Sequence, residues 1–332
     1  MIKKIAYPRA AVIGNPSDGF YGKTIAFPFS NFHAEACLTE RQDIVIKGSK
    51  RGVFTDLGAF YKDYELHGLS SENPLPRATI KRFLDFCTSE NISLHNRGFE
   101  IEFSSTIPRE VGLAGSSAII TAIFRTLLEY YKVSIPQKHL ANLILEVETK
   151  EMGISAGLQD RVVQVYEQPV YMDFDKELMQ SRGYGEYQMI SANLFQNFYI
   201  AYSTQGAEGS EVVHNDLRGR YDAGDVQVHQ VMSEFATLTE DFLTALKLRQ
   251  EDKIEACMNI NFDLRESICQ ISRRNLEMIE SARSAGASAK FTGSGGAIIG
   301  NFSSEAMYKD LERVFTPKGI QLFKPMIVST QV

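Results

Sequence analysis

Between an alternating strand pattern and a strongly apolar run lies Gly112-Leu113-Ala114-Gly115-Ser116-Ser117-Ala118. Upstream, Phe99-Glu100-Ile101-Glu102-Phe103 alternates apolar and charged residues, the mark of a half-buried strand. Downstream, Ala118 to Tyr131 reads as a buried helix. A strand, a glycine-rich turn and a helix in that order make an anion site. Glycines let backbone amides come close, and the helix start adds unpaired N–H groups and a partial positive charge. Ser116 and Ser117 offer hydroxyls to a phosphate or a metal ion. No lysine follows the second glycine, so this is not a Walker loop. A flexible turn with serine as helix cap fits the same residues.

Around this unit the chain mixes strands and helices without a strict alternation, which predicts α+β domains. Strand patterns cover Ala10 to Ile13, Ile25 to Phe29, His33 to Leu38 and Ile44 to Lys47. Tyr61 to Pro76 is polar and reads as a loop, before helical spacing of Ile80, Phe83, Leu84 and Cys87. Pro136 opens a helix with Leu140, Leu143, Ile144 and Val147 on one face, ending near Gly153. A short helix follows Gly157, and Val170 to Phe174 reads as a strand. Gly183 and Gly185, in a polar stretch, predict a boundary, giving domains 1–185 and 186–332. The second part carries a strand at Phe198 to Tyr202 and long helical patterns from Val228 to Ala285. It ends in a strand at Ala297 to Ile299, a helix at Glu305 to Phe315 and a strand from Gln321.

At 332 residues the chain has room for two domains. Its net charge of −6 and lack of a basic stripe argue against nucleic acid. No stretch reaches the roughly 20 apolar residues of a membrane helix. The start, Met-Ile-Lys-Lys-Ile, has no hydrophobic core suited to a secretory signal, so the expected location is the cytoplasm. Cys37, Cys87, Cys257 and Cys269 show no metal or redox spacing and read as buried free thiols.

A second glycine-rich segment, Gly293-Ser294-Gly295-Gly296, lacks the third glycine of a dinucleotide fingerprint and fits a tight turn before a strand equally well. Asp160 stands between apolar runs, where a helix cap, a salt bridge or an acid–base role are all open. The set of segments is more telling. Pro8-Arg9-Ala10-Ala11-Val12-Ile13-Gly14-Asn15-Pro16-Ser17-Asp18, then Ile107-Pro108-Arg109-Glu110-Val111-Gly112 through Ala118, then Lys290-Phe291-Thr292-Gly293 through Ala297 resemble the three signature segments of the GHMP kinases, in the family's order and spacing. Many members carry Gly-Glu-His where this chain has Gly14-Asn15-Pro16, which argues against the galactokinase and mevalonate kinase branches. Gly14-Asn15-Pro16-Ser17-Asp18, Gly157-Leu158-Gln159-Asp160-Arg161-Val162, Val170-Tyr171-Met172-Asp173-Phe174 and Lys290 to Gly296 resemble the family's plant-type glucuronokinase branch.

The resemblance implies a two-domain α+β GHMP kinase fold with its active site in the interdomain cleft. It also implies a kinase using ATP and Mg²⁺ to phosphorylate the anomeric hydroxyl of a sugar or sugar acid. ATP would lie on Pro108, Gly112, Leu113, Ala114, Gly115, Ser116, Ser117 and Ala118, with Gly293, Ser294 and Gly295. Ser117 and Glu148 would hold the metal, with Glu146 and Glu151 close by in sequence. Asp160 would be the catalytic acid–base group, and Arg9 would stabilise the transferring phosphoryl. Asp18 would bind sugar hydroxyls. Lys23 and Arg161 are candidate partners for a substrate carboxylate, against a solvated Lys23 and an Arg161 paired with a nearby acid. A kinase for heptose, fucose or galacturonate, or a silent sugar and nucleotide sensor, remain open. The expected protein is a monomer or homodimer with no nucleic-acid or membrane partner.

Overall fold

The computed structural model describes residues 1–69, 73–204 and 211–329, and the side chains of 211–216 are not described. In chain order its strands are β1 (Ile2–Ala6), β2 (Arg9–Ile13), β3 (Lys23–Pro28), β4 (Ala34–Arg41), β5 (Ile44–Ile46), β6 (Val53–Phe54), β7 (Gly98–Ser105), β8 (Val170–Asp173), β9 (Glu186–Met189), β10 (Phe198–Ser203), β11 (Lys290–Phe291), β12 (Ala297–Asn301) and β13 (Ile320–Phe323). Its α-helices are α1 (Leu57–His67), α2 (Pro74–Ser89), α3 (Gly115–Tyr131), α4 (Gln137–Glu146), α5 (Gln159–Tyr166), α6 (Lys176–Arg182), α7 (Glu211–Asp222), α8 (Val226–Leu248), α9 (Glu251–Ile268), α10 (Arg273–Ser284) and α11 (Glu305–Phe315). This is an α+β fold.

The chain divides into two compact units that interleave in sequence. The first holds Met1–Pro8, Phe32–Ile107 and Gly115–Val165; the second holds Arg9–Asn31, Pro108–Ala114 and Tyr166–Val332. Residue 185 lies inside the second unit, just before β9, which pairs with β8. The glycine loop straddles the division: Gly112 to Ala114 belong to the second unit and Gly115 to Ala118 to the first.

The first unit is built on a five-stranded sheet in the order β1-β4-β7-β5-β6, with β5 parallel to β7 and the other pairs antiparallel. The strand pattern around Phe99 appears as expected: Phe99 and Ile101 are buried while Glu100 and Glu102 face outward and bind Arg41 and Lys47. α3 buries residues all round, including Ile120, Ile123, Phe124 and Leu127, so it is a core helix of this unit.

The loop expected over Tyr61 to Pro76 is corrected. Leu57 to His67 is helix α1, and α2 begins at Pro74, with residues 70–72 outside the described part. The Asp56 carboxylate accepts from the Ala59 amide at 2.8 Å, a helix cap, and Phe60 and Tyr64 share one buried face. Pro74 sits in the first turn of α2, where its missing N–H costs nothing.

The second unit holds two antiparallel four-stranded sheets, β2-β3-β8-β9 and β11-β12-β10-β13. α9 and α10 divide at Cys269, within one continuous helical pattern. None of the four cysteines is in a disulfide; Cys87 and Cys257 are buried, Cys37 and Cys269 half-buried. Among the described residues no helix is long and apolar enough to cross a membrane.

Candidate active site

In the first unit the chemistry gathers where α4 ends. Its last turn widens into a π turn over Val147–Glu151. Such insertions re-aim a side chain at functional sites. Here the turn buries Glu148 to 3% exposure. One carboxylate oxygen accepts from Ser116 Oγ at 2.7 Å and the other is gripped by the Arg161 guanidinium. Glu146 and Glu151 are used otherwise: Glu146 binds Arg82 at 2.9 Å and Glu151 accepts from Tyr64 at 3.0 Å. Ser117 is buried in the first turn of α3. Asp160 lies in the first turn of α5, where the helix N-terminus favours a carboxylate, and its Oδ2 is 3.3 Å from Arg161 Nη1. Ser116, Glu148, Arg161 and Asp160 therefore form one chain of contacts.

In the second unit the two glycine-rich segments lie backbone against backbone. A Cβ on Gly293 would stand 2.4 Å from the Gly112 carbonyl oxygen, and one on Gly112 2.8 Å from that of Gly295. The backbone at Gly112 is left-handed (φ +71°). Two buried arginines hold the carbonyls. Arg9 Nη1 donates to Gly112 O at 2.9 Å and Thr292 O at 2.8 Å. Arg265 donates to Gly293 O at 2.6 Å and Ser294 O at 3.1 Å. In a trans peptide the N–H points opposite to the preceding C=O. The amides of Leu113, Gly293, Ser294 and Gly295 are thereby aimed away from the arginines, as an anion-binding loop requires.

Gly293→Ala is expected to push these backbones apart. KM for ATP should rise at least about tenfold, with little change in KM for the sugar. Equal losses in both constants, or none, would show that the close approach has no part in nucleotide binding.

The turn after β2 is tied to the same unit. Gly14 N donates to Asn261 Oδ1 at 2.7 Å, and Asn261 Nδ2 to Asn15 O at 3.2 Å. The fully buried Lys290 donates to Ala11 O at 2.8 Å, Phe291 O at 2.7 Å and the Asn15 side chain. Burial, and then repulsion from Arg265 and Arg9, push its pKa well below the usual lysine value. Asp18 is half-buried on the short 3₁₀ turn Ser17–Phe20 that follows. Burial also lowers the pKa of Arg265, an effect opposed by Cys269 and the Asp18 charge. Lys23 opens β3 and is paired with Glu240, on α8, and with Asp173, 3.2 Å away. Its pKa is raised, first by the Glu240 hydrogen bond.

Residues 77–168 match the model of the GHMP kinases N terminal domain. The chain is 40% identical to the probable glucuronokinase 2 of Arabidopsis thaliana over 307 residues, covering 89% of this chain and 82% of that protein. It is 37% identical to glucuronokinase 1 of the same plant, covering 90% and 84%. The chain belongs to the GHMP kinase family. Within it this GHMP kinase sits in the glucuronokinase branch, and it is a phosphotransferase with an alcohol acceptor. The solved galactokinase of Lactococcus lactis, complexed with galactose, has the same fold, with a TM-score of 0.78 at 16% identity, covering 98% of this chain and 94% of that one.

The structure thus joins some of this kinase's expected site residues. Ser116, Glu148, Asp160 and Arg161 meet in the first unit; Arg9, Gly112, Gly293 and Ser294 meet in the second. Asn261 and Arg265 escaped the sequence reading. The signal was present: both interrupt the apolar stripe of α9, one helical turn apart, between Met258 and Ile268, on the buried face. Glu240 and Asp173, the partners of Lys23, lie far from it in sequence and left no such trace.

Proposed function

We propose that the chain is an ATP- and Mg²⁺-dependent sugar 1-kinase that converts D-glucuronate to D-glucuronate 1-phosphate. The observation that carries this reading is the likeness to the Arabidopsis glucuronokinases along nearly nine-tenths of the chain. The loop geometry supports it. In the proposed mechanism the amides of the two glycine-rich segments and the start of α3 bind the phosphates of ATP. Arg9, expected on the transferring phosphoryl, lies instead on the carbonyl side of the loops and acts by holding the Gly112 and Thr292 carbonyls, while Asp18 is assigned the sugar hydroxyls. Asp160 orients the anomeric hydroxyl and takes its proton. That hydroxyl is the most acidic of the sugar, so a carboxylate suffices as base.

The Ser116 hydroxyl against Glu148 offers hard oxygen donors of the kind Mg²⁺ accepts, and Ser117 is the next residue. Mg²⁺ takes few protein ligands beside phosphate oxygens and water, so one carboxylate and a hydroxyl fit. When bound, the ion neutralises the phosphate oxygens. Ser116, Ser117 and Glu148 would hold it, with Arg161 orienting the carboxylate.

The reading takes the protein as cytoplasmic, a monomer or homodimer, with a sugar acid as its small-molecule partner and neither nucleic acid nor membrane. An ADP-release assay against a sugar panel tests it. Glucuronate should exceed glucose by about 10²-fold or more in kcat/KM, the scale of a lost charge-assisted contact. Equal use of the two would remove the sugar-acid assignment. A preference for heptose, fucose or galacturonate would move the enzyme to another sugar. ATP binding without turnover on any sugar would make it a sensor.

A further inference from the structure

A sugar acid needs a cation, and both cations suggested by the sequence are already held by carboxylates. Lys23 binds Glu240 and Asp173; Arg161 binds Glu148 and Asp160. Over these described pairs each group sums to one net negative charge, which repels an incoming carboxylate. Beside the Asp18 turn the balance differs. Arg218, on α7, lies with its guanidinium 4.5 Å above the Phe20 ring and donates through Nη2 to the Gly19 carbonyl. Its only carboxylate contact among the described ion pairs is Asp222, 3.7 Å from Nη1, and Asp222 is 62% exposed. Arg218 and Asp222 sum to zero, and the Asp18 charge is offset by that of Arg265, on which it acts. The Arg218 side chain is itself 43% exposed. A guanidinium has five donors in a fixed fork, so a flat carboxylate still has a place on it.

The elements on either side are also packed together. Phe20 is buried and packs with Leu217, Val228, Met232 and Phe235, and its ring lies 5.0 Å from that of Tyr221. The turn bearing Asp18 and the helix bearing Arg218 are thus packed into one cluster.

We propose that Arg218 binds the substrate carboxylate and sets the preference for a sugar acid. This rests on the sugar-kinase reading above. The test compares glucuronate with its neutral isostere glucuronamide at saturating ATP. The wild-type enzyme should favour glucuronate by about 10²-fold in kcat/KM. Arg218→Met should bring that ratio close to one, mainly by raising KM for glucuronate, with KM for ATP unchanged. Arg218→Lys keeps a charge without the fork and should fall between. Asp222→Asn should lower KM for glucuronate and leave that for glucuronamide unchanged; it does so without disturbing the Gly19 contact. Loss of both substrates alike in Arg218→Met and Arg218→Lys, or an unchanged ratio in all three variants, would overturn the assignment. So would collapse of the ratio in Lys176→Met, whose Nζ lies 5.8 Å over the neighbouring Tyr21 ring. A wild-type enzyme that does not distinguish the two substrates refutes the sugar-acid reading itself, and it does so before any variant is made.

Discussion

Asp160→Asn should turn over at least about 10²-fold more slowly than the wild-type enzyme while binding ATP as well. The amide keeps the size and the place at the start of α5 but cannot take the proton of the sugar hydroxyl. Arg161 would lose an ion-pair partner at 3.3 Å but keep Glu148 and the Gly157 carbonyl, at 2.7 Å, so the fold should hold. The useful readout is kcat against the Kd for ATP, with the melting temperature as control. A variant with near wild-type kcat would reduce Asp160 to a helix-start acid. A variant that loses ATP binding and thermal stability together would show that its role is structural.

Arg161→Met should destabilise the fold more than Asp160→Asn, Gly293→Ala or Arg218→Met. Both Arg161 and Glu148 have side chains only 4% exposed. Removing one partner of a buried pair strands the other charge, at a cost of about 3–5 kcal/mol. For a chain of this size that lowers Tm on the order of 10 °C. The Ser116 hydroxyl remains on Glu148 and softens the loss. Adding Glu148→Gln to Arg161→Met should restore part of it, because the double variant buries no unpaired charge. Calorimetry of the two single variants and the double one measures the coupling. If Arg161→Met instead melts with the wild type and loses only its preference for glucuronate, Arg161 is a substrate ligand and the pair is incidental.

Much of the architecture was legible because its elements announce themselves locally. The Phe99 strand alternates, α3 is apolar throughout, and α11 begins and ends where the pattern predicts. Helix α1 was missed for a physical reason. Only two of its side chains, Phe60 and Tyr64, are buried, and other apolar residues such as Leu66 face solvent, so no single apolar stripe stands out. The interleaving of the units was not legible either, since chain order carries no record of which strands pair. In the site, the glycine segments were visible, and so was the choice among three glutamates, but only as a choice. The π turn separates the three: its geometry points Glu148 at Ser116 and leaves Glu146 and Glu151 to Arg82 and Tyr64. The pairing of Lys23 was not legible, because its partner Glu240 lies 217 residues away. Arg265 shows the converse: a charge on the buried face of a helix is costly unless it has partners, and here it holds two carbonyls.

The reaction itself can be read from its products. Purified protein is incubated with ATP, Mg²⁺ and D-glucuronate, and the mixture is followed by phosphorus NMR with coupling to the sugar protons. If the chain is a sugar 1-kinase, ADP should form in step with a new phosphate resonance coupled to the anomeric proton. No ADP above background would contradict it, and so would a phosphate coupled to any other proton of the sugar.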